Sequence, residues 1–266
     1  MQDKTPAPRE MRHINVIGFV TLVQKEVGRF LSVYMQTIIA PMITTLLFYT
    51  VFSLALGGAD RTVGEVPYLL FLAPGLVMMS MVQNAFANTS SSLVISKVQG
   101  NIVDVLMPPL SAAELFSGYM VGGVLRGLSV GLASALLISL FVPIGLYSPF
   151  HVLAFALLGT MMLASLGIIG GIWSEKFDHI AAVTNFIIMP LTFLSGTFYS
   201  LSSLPGMWRD IAFYNPFFHA IDGFRYGLTG HADGDVMTGL WLLAAVNASL
   251  IILGWAMIRS GYKIKS

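Results

Sequence analysis

Long stretches without a single Asp, Glu, Lys or Arg alternate along this chain with short clusters that hold most of its charge. One such stretch runs from Phe30 to Ala59 and the next from Val66 to Ser96. An ionised group in hydrocarbon is costly, and ~20 apolar residues suffice to cross a bilayer. The pattern therefore predicts six crossing helices, at about Val33 to Leu56, Tyr68 to Asn88, Ala112 to Phe141, Val152 to Trp173, Ile180 to Phe198 and Val236 to Ile258. Pro143 and Pro149 mark a turn between the third and fourth. Ser111 with Glu114 fits a capping box at the start of the third, after Pro108 and Pro109 stop what precedes it. Asp178 is placed to cap the fifth.

Two further elements lie outside the runs. Val16, Val20, Val23, Val27 and Phe30 recur at three- and four-residue steps, with Asn15, Lys25 and Arg29 off that stripe. This predicts an amphipathic helix along the membrane surface, the alternative being a plain extension of the first span. Between the fifth and sixth spans the chain is apolar but broken by Pro205, Gly206, Pro216 and Gly230. Pro205 to Tyr214 and Pro216 to Leu228 reach only ~15 Å and ~20 Å as helices, too short to cross. They read as a re-entrant hairpin in the outer leaflet or as an interfacial loop lying flat. Phe198, Tyr199, Trp208, Asn215, Pro216 and Arg225 are its candidate gate residues, against the alternative of an aromatic belt at headgroup level.

Composition narrows the class. Of 266 residues 56% are hydrophobic and 10% charged, against about 25% charged in soluble domains. With no Cys there is neither a disulfide framework nor a thiolate metal site. The net charge of +1, with no basic cluster interleaved with aromatics, excludes a nucleic-acid surface. Ten of the 14 Lys and Arg residues fall on the side of the termini, whereas Arg61, Arg209 and Arg225 fall opposite, which predicts both termini in the cytoplasm. The reading is of an all-α integral membrane protein, with a cytoplasmic arm at 1–13 and one membrane domain at 14–266.

Candidate chemistry is sparse. Arg126 falls inside the third span, toward its cytoplasmic side, and is expected to form a structural or gating ion pair unless it snorkels to the headgroups. Gly118, Gly122, Gly123, Gly127 and Gly131 surround it and invite close helix approach. In the loop from Lys97 to Ser111, Ile102, Val103 and Leu106 read as one apolar side of a short helix, with Gln99 and Asp104 as polar contacts. Such a helix either docks to a partner or rests on its own bundle. No G-x-x-x-x-G-K-[ST] loop or metal-binding His pattern is present, so no cofactor is expected on this chain. Two other classes stay open. A transporter driven by an ion gradient would need acidic pairs deep in the spans, and an intramembrane serine hydrolase would need Ser195 beside His219.

The stretch Phe193-Leu-Ser-Gly-Thr-Phe-Tyr-Ser-Leu-Ser-Ser-Leu-Pro205, followed by Trp208, Asn215-Pro216 and Gly223-Phe-Arg-Tyr-Gly227, resembles the signature region of type-2 ABC exporter permeases. So do Gly118-Tyr-Met-Val-Gly-Gly-Val-Leu-Arg-Gly-Leu-Ser-Val-Gly131 and Ala73-Pro-Gly-Leu-Val-Met-Met-Ser80, and the likeness covers nearly the whole chain. It implies a bacterial inner-membrane subunit that pairs with a second copy of itself. It also implies two copies of a separate ATPase, which would hold the ATP and Mg. On that pattern Ile14 to Leu31 is the connecting helix, Gln99 to Leu106 the coupling helix, and Pro205 to Leu228 the re-entrant pair. The family's cargo ranges from drugs to lipids and glycolipids.

Overall fold

Residues 14–56, 61–64 and 66–263 are described by the computed structural model; the arm at 1–13 lies outside them. In chain order the helices are α1 (Val16–Ser32), α2 (Met35–Leu56), α3 (Tyr68–Val98), α4 (Ile102–Leu106), α5 (Ala112–Ser139), α6 (Pro149–Trp173), α7 (Phe177–Phe193), α8 (Gly206–Phe213), α9 (Pro216–Thr229) and α10 (Val236–Ser260). Strands β1 (Thr62–Val63) and β2 (Val66–Pro67) form a small antiparallel hairpin between α2 and α3. Five helices, α2, α3, α5, α6 and α10, are long and apolar enough to cross a membrane. The predicted fifth span is α7, which is apolar but shorter, at about 25 Å by helical rise.

The most enclosed helix is α3, which packs along α5 and α6. Small residues set that closeness. A Cβ on Gly127 would lie 2.8 Å from the Met81 carbonyl oxygen, and one on Gly167 would lie 2.6 Å from that of Phe86. The helices therefore meet backbone to backbone at these points, as small-residue membrane interfaces do. Beyond Asn88, where the sequence reading ended the span, α3 continues to Val98. Ser90, Ser91 and Ser96 return their hydroxyls to the carbonyls of Phe86, Ala87 and Ser92, so a run that reads as polar stays helical.

The face α1 turns to the protein differs from the one its valines mark. Leu22, Glu26 and Phe30 are buried, while Val16 and Val20 are exposed. Leu22 sits over Gly118 and Glu26 over Gly122, so two of the five glycines receive α1. A single non-helical residue, Val33, separates α1 from α2, which opens with a π turn at Met35–Ile39. A second π turn, Thr184–Ile188, lies within α7. Each is followed by a proline, Pro41 or Pro190, whose ring clashes with the preceding turn and whose nitrogen donates no hydrogen bond.

Caps match the sequence at most ends. The Ser111–Glu114 capping box is complete, and the Glu114 carboxylate also accepts from the Asn15 backbone, joining the start of α1 to that of α5. Asn215 caps α9 from Phe217 N–H, with Pro216 in the first turn. At α7 the cap position belongs to Lys176, and Asp178 falls in the first turn without a capping bond. The helix also stops at Phe193, so Phe198, expected inside it, lies in an irregular turn where Gly196 takes φ +70°. Finally, α9 runs back along α6, with Gly227 against Val152, Gly223 against Phe155 and Ala220 against Gly159.

Candidate functional site

Three polar constellations interrupt the apolar bundle, one at each end and one within. At the end that holds Lys97, α3 stops at Val98, and a three-residue turn, 99–101 with Gly100 at φ +75°, leads into α4. Gln99, Val103 and Asp104 are exposed, Val103 at 58%, and Met107 just beyond reaches 75%. Ile102 and Leu106 instead pack against the cluster around Leu22, Leu93 and Phe116. The expected grouping of Val103 with Ile102 and Leu106 is thus corrected. At 3.6 residues per turn Ile102, Val105 and Leu106 share the face on the bundle, and Val103, Asp104 and Met107 share the outer one. Nearby, Lys97 donates to the carbonyls of Ile172 and Ser174, closing the end of α6. The Lys263 ammonium, 3.0 Å from Glu175, holds that carboxyl below its usual range by hydrogen bond and then by charge.

Within the bundle, Arg126 makes one hydrogen bond, from Nη2 to Asn84 Oδ1 at 3.1 Å. Among the described residues no carboxylate comes within ion-pair distance of it. The expected ion pair is therefore not formed there, because α3 presents an amide at that height instead of an acid. The buried pair lies one turn of α3 lower. Glu26, fully buried, accepts from Ser92 at 2.8 Å and from Arg29 at 3.1 Å, and Arg29 also donates to the Asn88 carbonyl and Asn88 Oδ1, each at 2.8 Å. Sequence reading missed Glu26 and Asn88. The signal available was that Glu26 lies four residues from both Leu22 and Phe30.

At the opposite end Arg225 is fully buried. Its Nε donates to the Phe71 carbonyl at 3.2 Å, Nη2 to Gly196 at 2.6 Å and Nη1 to Asp222 at 3.4 Å. Asp222 in turn accepts from the backbone of Asp233 and Gly234, and Asp233 accepts from Ser200 and Leu201. One guanidinium thus ties α3, α9, the turn after α7 and the loop before α10 together. Asn215 adds a bond from its side-chain amide to Leu191 at 2.7 Å. Of the other candidate gate residues, Phe198 is buried beside Phe52, Tyr199 donates to the Phe193 carbonyl, and Trp208 is half exposed on α8. The six are not gathered at one point: Arg225 and Asn215 hold the elements together, whereas Trp208 faces outward as an interfacial aromatic does.

The hydrolase arrangement is absent. The Ser195 hydroxyl bonds the Thr192 carbonyl and the Thr197 hydroxyl, and His219 Nε2 pairs with the Phe213 carbonyl at 2.8 Å, so each is committed elsewhere. No group of three or more potential metal ligands occurs among the described residues. The buried acids, Glu26 and Asp222, each face an arginine and do not pair with one another.

Comparison with known proteins assigns the whole arrangement. The ABC-2 type transporter family matches residues 18–229. The chain is 33% identical over 256 residues to the inner membrane transport permease YadH of Escherichia coli, covering 96% of this chain and all of that protein; the same protein from Shigella flexneri matches equally. It is 27% identical over 213 residues to nodulation protein J of Rhizobium leguminosarum bv. trifolii, covering 77% and 78% of the two chains. A bundle with five helices long and apolar enough to cross a membrane agrees with that match. The chain belongs to the ABC-2 type transporter family and is a transmembrane subunit of an ABC transporter.

Proposed function

We propose that this chain is the permease half of an ATP-driven exporter, moving an amphipathic cargo across a bacterial inner membrane. Two copies would assemble with two copies of a separate ATPase, on which ATP and Mg act. The observation that carries the reading is that only the three-residue turn 99–101 joins α3 to α4. The most enclosed helix of the bundle ends in an exposed turn bearing Val103, Asp104 and Met107, so force applied to α4 is passed to the middle of the membrane domain. The similarity to a relative named an inner membrane transport permease supports the location. Residues 14–266 act as one domain on this reading.

Six crossings follow if α7 counts as one despite its length. Glu175, just after α6, meets Lys263, just after α10, so both helices end on one side, and the chain between them has to traverse the bundle once outward through α7. The π turn does not prevent this, and the irregular stretch 194–200 makes up the remaining thickness. The excess of Lys and Arg at that side supports cytoplasmic termini. The run of α9 from Gly227 at the outer end of α6 to Ala220 at Gly159, ~10 Å deeper by helical rise, supports a re-entrant α8–α9 pair.

Gentle affinity purification of the full-length chain from membranes tests the assignment. A second chain carrying a nucleotide-binding loop should accompany it, and ATP hydrolysis by the pair should depend on the permease. A permease that is stable and functional alone would overturn the reading.

A further inference from the structure

Ser96, Ser92, Asn88, Asn84 and Ser80 recur at every fourth residue of α3 and draw a polar stripe along one side of the helix. Two clefts open onto it. The lower, about 560 Å³, is lined by Lys25, Arg29, Ser92, Ser96 and Asp104 together with apolar residues of α1 and α4. The upper, about 330 Å³, lies between α2 and α3 and presents Gln36, Thr44, Ser80, Gln83 and Asn84. Arg29, in the wall of the lower cleft, is bonded to Asn88, and Arg126, behind the wall of the upper cleft, is bonded to its Asn84, about one helical turn further along the stripe.

The charges along this route do not balance. Glu26 is engaged by Arg29, and Asp104 lies at the cytoplasmic mouth. Arg126, partly buried and deepest, has only the Asn84 amide oxygen, and the Nε atoms of both arginines are buried without a hydrogen-bond partner. An arginine inside hydrocarbon that needed only to reach water would turn its guanidinium to the headgroups. Here it is aimed across the bundle at α3, beside a polar cleft. A guanidinium in low dielectric binds phosphate oxygens by charge-assisted, paired hydrogen bonds.

We propose that Arg29 and Arg126 are successive stations for the phosphate-bearing head group of an amphipathic cargo, which enters at the Lys25 cleft and passes to the cleft between α2 and α3. The chemistry recognised is a phosphomonoester or phosphodiester joined to an apolar tail. The direction of travel rests on the exporter reading; the binding does not.

The test titrates the full-length chain, in uncharged detergent, with dioctanoyl phosphatidate, dioctanoylglycerol and inorganic phosphate, using native mass spectrometry. Phosphatidate should bind about tenfold or more tighter than the uncharged diacylglycerol, the scale of charge-assisted hydrogen bonds. Arg126→Gln should remove most of that preference, and Arg126→Lys should keep part of it. Asn84→Asp, which leaves the arginine but gives it a carboxylate, should also remove it and serves if Arg126→Gln does not fold. Arg259→Gln, at the end of α10 against Trp255, should change nothing. Equal affinity for the two lipids, an equal loss in Arg259→Gln, or a preference untouched by Arg126→Gln and Asn84→Asp would each overturn the proposal. Displacement by inorganic phosphate as effective as by phosphatidate would assign a free-anion site and overturn the amphipathic part. A surviving lipid preference without any co-purifying ATPase would sink the exporter reading and leave the site standing.

Discussion

The guanidinium carbon of Arg225 lies 3.7 Å above the ring centroid of Phe71, while Nε of the same side chain donates to the Phe71 carbonyl. One residue of α3 is thus held by both its ring and its backbone. Removing the arginine leaves Asp222 buried without its partner and the carbonyls of Phe71 and Gly196 without a donor. Arg225→Leu is expected to cost about 3 to 5 kcal/mol, the scale for breaking a buried ion pair from one side. Arg225→Lys should recover little, because a single ammonium cannot reach three acceptors and lie flat on a ring. Thermal unfolding in detergent measures both.

Helix spacing gives a second expectation. Gly167→Ala drives a methyl toward the Phe86 carbonyl oxygen, 2.6 Å away, so α3 and α6 must separate. A loss of about 1 to 3 kcal/mol follows from overpacking. Gly28→Ala, whose methyl would meet nothing within 4 Å, should instead be neutral or stabilise α1 by up to about 1 kcal/mol. The same thermal measurement separates them, and equal effects would contradict the packing described.

On α4, two substitutions that look alike in sequence should behave differently. Val103→Asp places a carboxylate on the outer surface, and should leave folding intact while abolishing ATPase co-purification. Leu106→Asp places one against the apolar cluster beneath. It should lower stability as well, by about 1 to 3 kcal/mol for a polar group buried without a partner. Co-purification and melting, read together, distinguish docking from packing.

Ser195→Ala removes a buried hydroxyl bonded to Thr192 and Thr197. About 1 kcal/mol of stability should be lost with those bonds, and permease-dependent ATP hydrolysis should persist. Its disappearance in a stably folded variant would reopen a catalytic role for the serine.

Charge-free runs made the long helices legible because hydrocarbon thickness imposes both length and apolarity, and Ser111, Asn215 and Pro216 marked two helix starts to the residue. What the runs concealed was the polar interior. Asn84 and Asn88 carry no formal charge and so sit unnoticed in an uncharged stretch, yet they receive the two arginines. Glu26 was hidden for the opposite reason: beside Lys25 and near Arg29 it reads as a solvated residue, although it is the most enclosed position of α1. Val16 and Val20, the start of the α1 stripe, face away from the protein, because at a membrane an apolar face has two apolar places to go. The end of α7 was misplaced since Phe198 still lies in a charge-free run, and the backbone of Gly196 marks the break.

The two π turns bear on how such a bundle moves. Each holds one residue more than an α-helical turn, and a surplus residue can migrate along a helix by exchanging one set of backbone hydrogen bonds for the next. Displacing it past a position turns that side chain by about 100° around the axis, since each residue occupies that angle. With Pro41 and Pro190 just beyond each surplus, a shift of one residue would swivel a stretch of α2 or α7 surface without lengthening the helix. The two helices store a rotation in the way a slack coil stores a twist.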